Sequence, residues 1–166
     1  MQLALLLGAL AGLRISEIAA LDAANVHLDA DPPVLIVRDG TGKDRIVPLH
    51  PSLIPMLRGQ SGWFFPNGQG GHLRPQSLAM AIRRVLERAE IPRFTPHQLR
   101  HFFGTEAARW SGGNVVLVSQ LMGHENTNTT MRYIGWTPTE GAEVVAKITS
   151  SSVDDELAAR RHRASA

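Results

Sequence analysis

Apolar residues recur at helical spacing in several separate stretches of this chain, and this periodicity constrains the fold more than any other feature. Leucines stand at positions 3, 6, 7 and 10, and the stretch 78–89 follows the i, i+3, i+4, i+7 rule of an amphipathic helix. A further apolar helix is predicted over Val115–Met122, closed by Gly123 as its C-terminal cap. The chain is therefore predicted to be mainly helical.

One part of the chain has the pattern of strands instead. Two short β-branched runs, 34–37 and 45–47, flank Asp-Gly-Thr-Gly at 39–42, which is a hairpin signature. The stretch 59–75 is rich in glycine and proline and predicts a loop. The predicted fold class is α+β, mainly α-helical, with a small antiparallel sheet or hairpin.

The first helix is expected to end at a bend. Gly12 interrupts the leucine pattern, and a second helix opens at 16–18, so that Arg14 is predicted to lie between the two.

A helix with a polar face is predicted to begin at Thr95. Thr95, Pro96 and Gln98 form a capping box with proline at the first helical position. At 100° per residue one side collects Leu99, Phe102, Phe103 and Trp110, and the other collects His97, Arg100, His101 and Gly104. We expect the polar side to stay out of the core. His97 and Arg100 share a face near the helix N-terminus, where backbone N–H groups favour an anion.

Positive charge is concentrated in the middle of the chain. The formal net charge is only +2, but the stretch 45–132 holds ten arginines and four acids, a surplus of +6. Such a basic region indicates a polyanionic partner. The excess of arginine over lysine fits bidentate phosphate contacts, although a GC-rich genome produces the same bias.

Composition also argues against several classes of protein. The absence of cysteine excludes disulfides, thiolate metal sites and a cysteine nucleophile, and fits a reducing compartment such as the cytoplasm. The apolar run at 3–13 is shorter than the roughly 18 residues of a membrane span, and it lacks the basic start of a signal peptide. We therefore expect no membrane segment.

Individual motifs remain ambiguous when they are taken alone. His97 and His101 have the spacing of a zinc-binding helix, but Gln98 stands where a zinc protease needs a carboxylate base, so no metal site is predicted. His124 alone is typical of a loop histidine, and Tyr133 alone is typical of a half-buried packing residue.

Taken together, the motifs point to one family. The segments GLRISEI at 12–18, GKDRIVPL at 42–49, TPHQLRH at 95–101 and LMGHENTNTTMRY at 121–133 resemble the tyrosine recombinase, or phage integrase, family in content, order and approximate spacing. The resemblance implies a DNA breaking-rejoining catalytic core over residues 1–149, followed by a polar, partly mobile tail at 150–166. An N-terminal DNA-binding domain and the first helix of this core are expected to be missing from the chain.

The resemblance also implies the principal catalytic residues. Arg14 and Arg100 match the two arginines that clamp the phosphate, and His124 matches a hydrogen-bond donor to it. His97 matches the histidine that assists proton transfer, and Tyr133 matches the nucleophile. Since a free tyrosine is only about one part in a thousand phenolate at pH 7, it needs such neighbours.

Two matches in the resemblance leave alternatives open. Glu17 falls where relatives carry an acid beside the first arginine, and it is interpreted as an orienting group, although a carboxylate at a helix start is explained equally well by the helix dipole. Many relatives carry a lysine eight residues before the strand-end proline, where Gly40 stands here. Lys43 is the only lysine in the hairpin and is predicted as the general acid; otherwise the acid is weakened or supplied elsewhere.

The implied reaction is site-specific DNA recombination for integration or excision, through a 3′-phosphotyrosyl intermediate and without cofactor, metal or ATP. The implied partner is double-stranded DNA, bound by a homotetramer that is a monomer when free, with the helix at 137–148 docked on a neighbour. Alternatives are a type IB topoisomerase and an inactive DNA-binding remnant. Candidate DNA-contacting residues are Arg83, Arg84, Arg88, His101 and Arg132.

Overall fold

The N-terminal helix contributes several fully buried residues to the core. The computed structural model describes residues 1–38, 44–91, 95–123 and 137–148. Helix α1 (Gln2–Leu10) buries Ala4, Leu7 and Leu10 completely, as the leucine spacing predicts. It packs most extensively against α5 (Pro96–Trp110), where Gly8 allows close approach: a Cβ at this position would lie 3.1 Å from Leu99 Cβ.

The chain turns sharply after α1, as predicted. Gly12 has φ +63°, and a Cβ there would lie within 2.7 Å of the ring atom Cε1 of Phe103, so no other residue fits without displacement. Arg14 then precedes α2 (Ile15–Ala19) as its N-terminal cap residue. The bend therefore sets Arg14 at the junction of two helices, close to α5.

A three-stranded antiparallel sheet follows, in the order β1-β2-β3. The strands are β1 (Val26–His27), β2 (Val34–Val37) and β3 (Arg45–Pro48). The two hairpin strands predicted from sequence are confirmed, with Leu35 opposite Val47. Strand β1 was not predicted, because two residues are too short for a recognisable alternation.

The middle of the chain connects the sheet to the next long helix. A 3₁₀ turn (Pro51–Leu53) leads into a short helix α3 (Ile54–Leu57), neither of which the sequence pattern predicted. The predicted loop contains only isolated bridges, such as Pro66 with His72.

Helix α4 (Pro75–Arg88) confirms the predicted amphipathic helix and packs on α2. It buries Leu78, Ile82 and Leu86, while its arginines at 83, 84 and 88 are exposed.

The remaining described helices complete the core. Thr95 begins α5 with the predicted capping box, and α6 (Val115–Met122) ends as predicted at Gly123, in the left-handed conformation. Trp110, which shares the side of Leu99 and Phe103 by helical spacing, is 40% exposed in the last turn of α5, where its indole Nε1 donates to Glu106. Helix α7 (Pro138–Ala146) packs on β3 and α5 of its own chain.

The helices and the sheet of the described residues confirm the predicted fold class, which is mainly α-helical with a small antiparallel sheet. No helix within the described ranges is long and apolar enough to cross a bilayer. Lys43, His124, Arg132, Tyr133 and the tail at 150–166 lie outside the described residues.

Candidate active site

Three arginines from distant parts of the sequence converge on one buried carboxylate. The side chain of Glu17 is only 6% exposed, and its Oε1 accepts from Arg14 Nη1 at 2.9 Å and from Arg45 Nη1 at 2.7 Å. Its Oε2 accepts from Arg45 Nη2 at 2.8 Å and lies 4.0 Å from Arg100 Nη1. We call these four residues the arginine cluster.

Hydrogen bonds hold both the backbone and the guanidinium of Arg14. Its backbone N–H donates to Glu17 Oε2 at 2.6 Å, which forms part of the cap of α2. At its far end Nη2 donates to the carbonyl of Gly123 at 2.8 Å. The side chain is nevertheless 41% exposed. Arg14 is therefore both held in one direction and accessible from solvent.

Arg100 is buried, which contradicts the prediction that the polar side of α5 stays out of the core. Its side chain is 5% exposed, and its two terminal nitrogens donate to the backbone carbonyls of Gly12 and Met122. A charge can be buried in this way because hydrogen-bond acceptors replace the lost water. Helical periodicity alone could not reveal those acceptors, since they come from other segments of the chain.

Arg45 is the member of the cluster that the sequence interpretation missed. It donates two parallel hydrogen bonds to Glu17, and its Nε donates to the carbonyl of Leu121 at 3.2 Å. A signal was present: Arg45 and Val47 alternate with Ile46, so both lie on the inward face of β3. A charged residue on the inward face of a strand indicates a buried partner.

The C-terminal end of α6 is built around these guanidinium groups. The carbonyls of Leu121, Met122 and Gly123 accept in turn from Arg45, Arg100 and Arg14. A Cβ at Gly123 would lie 2.8 Å from Arg45 Cδ, and the backbone is left-handed there with φ +63°, so glycine is required. The next residue in sequence is His124.

The two members of the cluster with shifted pKa values, Glu17 and Arg100, stay charged at neutral pH. Burial alone would raise the pKa of Glu17, but the hydrogen bonds and charge of Arg45, with those of Arg14, outweigh it and lower the pKa below its usual value. Burial, with repulsion from Arg14, lowers the pKa of Arg100 to about 10, against the opposing effect of Glu17. Three cations and one carboxylate leave two positive charges in excess, which favours an anionic ligand.

The two predicted histidines of α5 lie outside this cluster. His97 and His101 are exposed, and their rings meet edge to face with centroids 5.0 Å apart. The structure therefore brings together Arg14, Glu17 and Arg100 from the predicted site and adds Arg45.

Such an arrangement is suited to holding a phosphodiester. A guanidinium carries five N–H donors in a planar fork that matches phosphate oxygens. Hydrogen bonds to backbone carbonyls and to the Glu17 carboxylate fix Arg14 and Arg100 before a ligand binds. Donors that are preorganised in this way stabilise charge that develops in a transition state.

Comparisons with known proteins find similar sequences and structures. The model of the phage integrase family matches residues 1–139. A tyrosine recombinase of Thermosipho africanus is 35% identical over 146 residues, which are 83% of this chain and 50% of that protein. The tyrosine recombinase XerD of Rhizobium meliloti is 33% identical over 74% of this chain and 42% of its own length.

Among solved structures, an integrase from mycobacterium phage Brujita is similar with a TM-score of 0.76 and 27% identity, over 96% of this chain and 55% of that chain. This chain thus spans about half the length of the curated relatives it matches.

Proposed function

Because this chain belongs to the phage integrase family, we propose that it is a site-specific recombinase that cleaves and rejoins double-stranded DNA to integrate or excise mobile DNA. Tyr133 is the nucleophile of the proposed reaction. The catalytic domain covers residues 1–149 in this proposal, and the tail 150–166 follows it.

One observation carries the proposal furthest. The two arginines that the family resemblance assigns to the phosphate, Arg14 and Arg100, are 86 residues apart in sequence yet lie on the same carboxylate and bond to the successive carbonyls of Gly123 and Met122. A packing role for either arginine would not require this convergence. Two fixed guanidiniums can hold both non-bridging oxygens of one phosphate and stabilise the added negative charge of a pentacoordinate transition state.

The proposed step is a transesterification. The Tyr133 oxygen attacks phosphorus and loses its proton, the bond to the 5′ oxygen breaks, and a 3′-phosphotyrosyl link remains beside a 5′-hydroxyl. A second 5′-hydroxyl reverses the step and releases the tyrosine. One phosphodiester replaces another, so neither ATP nor a metal is required in principle.

The other proposed roles belong to further residues of the motifs that resemble the family. His124 donates to a phosphate oxygen, His97 assists proton transfer at Tyr133, and Lys43 protonates the departing 5′ oxygen. Glu17 orients Arg14 and Arg100.

The proposed partner is duplex DNA, on which four copies assemble while the free chain is monomeric, in the cytoplasm of a bacterial host. The exposed arginines of α4 supply further phosphate contacts, as do His101 and Arg132. Helix α7 docks on a neighbour in that assembly, for which it has to leave β3 and α5 of its own chain, where Val144 and Val145 are buried.

The Tyr133→Phe variant tests this function. We expect the wild-type chain to form a covalent adduct with nicked duplexes that span the ends of the element carrying its gene, visible as a slower band on a denaturing gel. Tyr133→Phe should form none, while its DNA affinity stays within about 1 kcal/mol of wild type, since one hydroxyl contributes little to binding.

Three other results would redirect the proposal. An adduct with Tyr133→Phe would show that another residue is the nucleophile. A wild-type chain that binds DNA without any adduct would indicate an inactive binding protein. Relaxation of a supercoiled plasmid with no strand exchange between two duplexes would indicate a topoisomerase.

A further inference from the structure

Arg45 links three elements around the arginine cluster, because it lies on β3 and hydrogen-bonds to residues of α2 and α6. It starts β3, bonds to Glu17 on α2 through both terminal nitrogens, and bonds to the carbonyl of Leu121 on α6. Its side chain is 10% exposed, so the surrounding protein encloses it almost entirely. All three nitrogens of its side chain also donate to protein acceptors, so we interpret Arg45 as acting on a DNA phosphate through its neighbours.

The neighbour through which Arg45 acts is the Glu17 carboxylate. Each oxygen of that group serves two purposes: Oε1 accepts from Arg45 and from the Arg14 side chain, while Oε2 accepts from Arg45 and from the Arg14 backbone, and faces Arg100. Arg14 bonds to both oxygens as well, but its side chain is the group to be oriented and cannot be the fixed reference. Arg45 is anchored separately, on the carbonyl of Leu121. Two parallel bonds from its planar fork fix both oxygens of the carboxylate.

We propose that Arg45 is a positioning residue, which fixes the plane of the Glu17 carboxylate and thereby the direction in which Arg14 and Arg100 face a phosphate. This inference rests on the proposed DNA cleavage. Displacement of a reacting group by about 1 Å is enough to slow a reaction about a hundredfold, so the loss of Arg45 has a large effect although it touches no substrate.

The charge of Arg45 gives this role a distinctive pH dependence. The groups that face Glu17 are Arg14, Arg45 and Arg100. Burial raises the pKa of Glu17 and Arg45 is the main group that lowers it, so its removal shifts that pKa upward. The lowered pKa in the wild-type protein keeps Glu17 ionised to a lower pH than an ordinary glutamate. Without Arg45, protonation of Glu17 and loss of cleavage begin at a higher pH.

The experiment measures adduct formation at saturating DNA, as a function of pH, in the full chain. Arg45→Met should lose about a hundredfold at neutral pH with unchanged DNA affinity, and its activity should fall at a higher pH on the acid side than that of the wild type. Arg45→Lys, which keeps the charge but not the fork, should recover part of the rate. Arg38→Met is the matched control, because Arg38 follows β2 in the same hairpin and its side chain is exposed.

A double-variant comparison decides whether Arg45 acts through Glu17. In a Glu17→Gln background, Arg45→Met should add little to the loss already present, since the carboxylate it orients is gone. Losses that add in full, or an acid limb that does not move, would overturn the positioning role. If Arg45→Met fails to fold, as a thermal melt would reveal, Arg45→Lys is compared in the same two backgrounds.

In the adduct assay, failure of the proposed function can be distinguished from failure of the positioning role of Arg45. It appears as no adduct from the wild type and from Arg38→Met alike, and overturns both proposals. A wild-type adduct with additive losses overturns only the role of Arg45.

Discussion

This chain contains two groups of arginines, one buried and one exposed. Arg45 and Arg100 lie inside the molecule, where carbonyls and one carboxylate accept their hydrogen bonds. The arginines of α4 lie on its outer face, where Arg83 forms an i, i+4 ion pair with Glu87 and its side chain is 76% exposed. In the sequence both groups are simply part of one basic region.

The difference shows how a protein separates two uses of positive charge. A surface arginine keeps its water and its rotamer freedom, so it attracts a polyanion without fixing the geometry of any one phosphate. A buried arginine has lost both, and its partners set its direction before a ligand arrives. Geometry of this second kind is what transition-state stabilisation requires.

The largest expected effect follows from removing the buried charge of Arg100. Arg100→Met should lower adduct formation about 10²–10³-fold, because a preorganised donor to the transition state is removed. It should also lower the free energy of unfolding by about 3 kcal/mol, since the carbonyls of Gly12 and Met122 lose their donor. Denaturant unfolding and single-turnover cleavage measure the two quantities.

Arg84→Met is the stability control for this prediction. Arg84 is exposed on α4, and its replacement should change unfolding by no more than about 0.5 kcal/mol. Equal destabilisation by the two variants would erase the distinction between the two groups of arginines.

A smaller effect tests the backbone that supports the buried group. Gly12 and Gly112 both have φ +63°, but a Cβ at Gly12 would press on the Phe103 ring, whereas nothing lies within 4 Å of one at Gly112. Gly112→Ala should cost only the left-handed conformation, about 1 kcal/mol. Gly12→Ala adds overpacking and should cost about 3 kcal/mol in denaturant unfolding. It should also slow cleavage, because the Gly12 carbonyl accepts from Arg100; similar costs at the two sites would contradict the close packing of Gly12.

The smallest effect on stability is expected at the surface. Replacing Arg83, Arg84 and Arg88 together by glutamine should remove up to three phosphate contacts and reduce the slope of log K against log salt by about 2–3. The unfolding free energy should change by only about 0.5 kcal/mol, chiefly through the pair of Arg83 with Glu87. Binding measured by fluorescence anisotropy at several salt concentrations provides the slope, and an unchanged slope would place the DNA elsewhere.

Local patterns in the sequence predicted most of the described elements. The capping box at Thr95, the stop at Gly123 and the apolar stripe of α4 each depend on residues within one or two turns of a helix. The resemblance of four motifs to one family supplied the candidate residues, among them Arg14, Glu17 and Arg100. Strand β1 and helix α3 were missed because each is too short for its period to be recognised.

The sequence by itself determined that the longer helices form, where α5 begins and α6 ends, and which residue types are available for chemistry, because these depend on neighbours along the chain. Only the tertiary structure decided that Arg100 is buried and that Arg45 belongs with it. Both outcomes depend on acceptors contributed by distant segments: the carbonyls at 12, 121 and 122, and the Glu17 carboxylate. The energy of a buried charge is set by the partners that replace its water, and the periodicity of its own helix or strand carries no information about them.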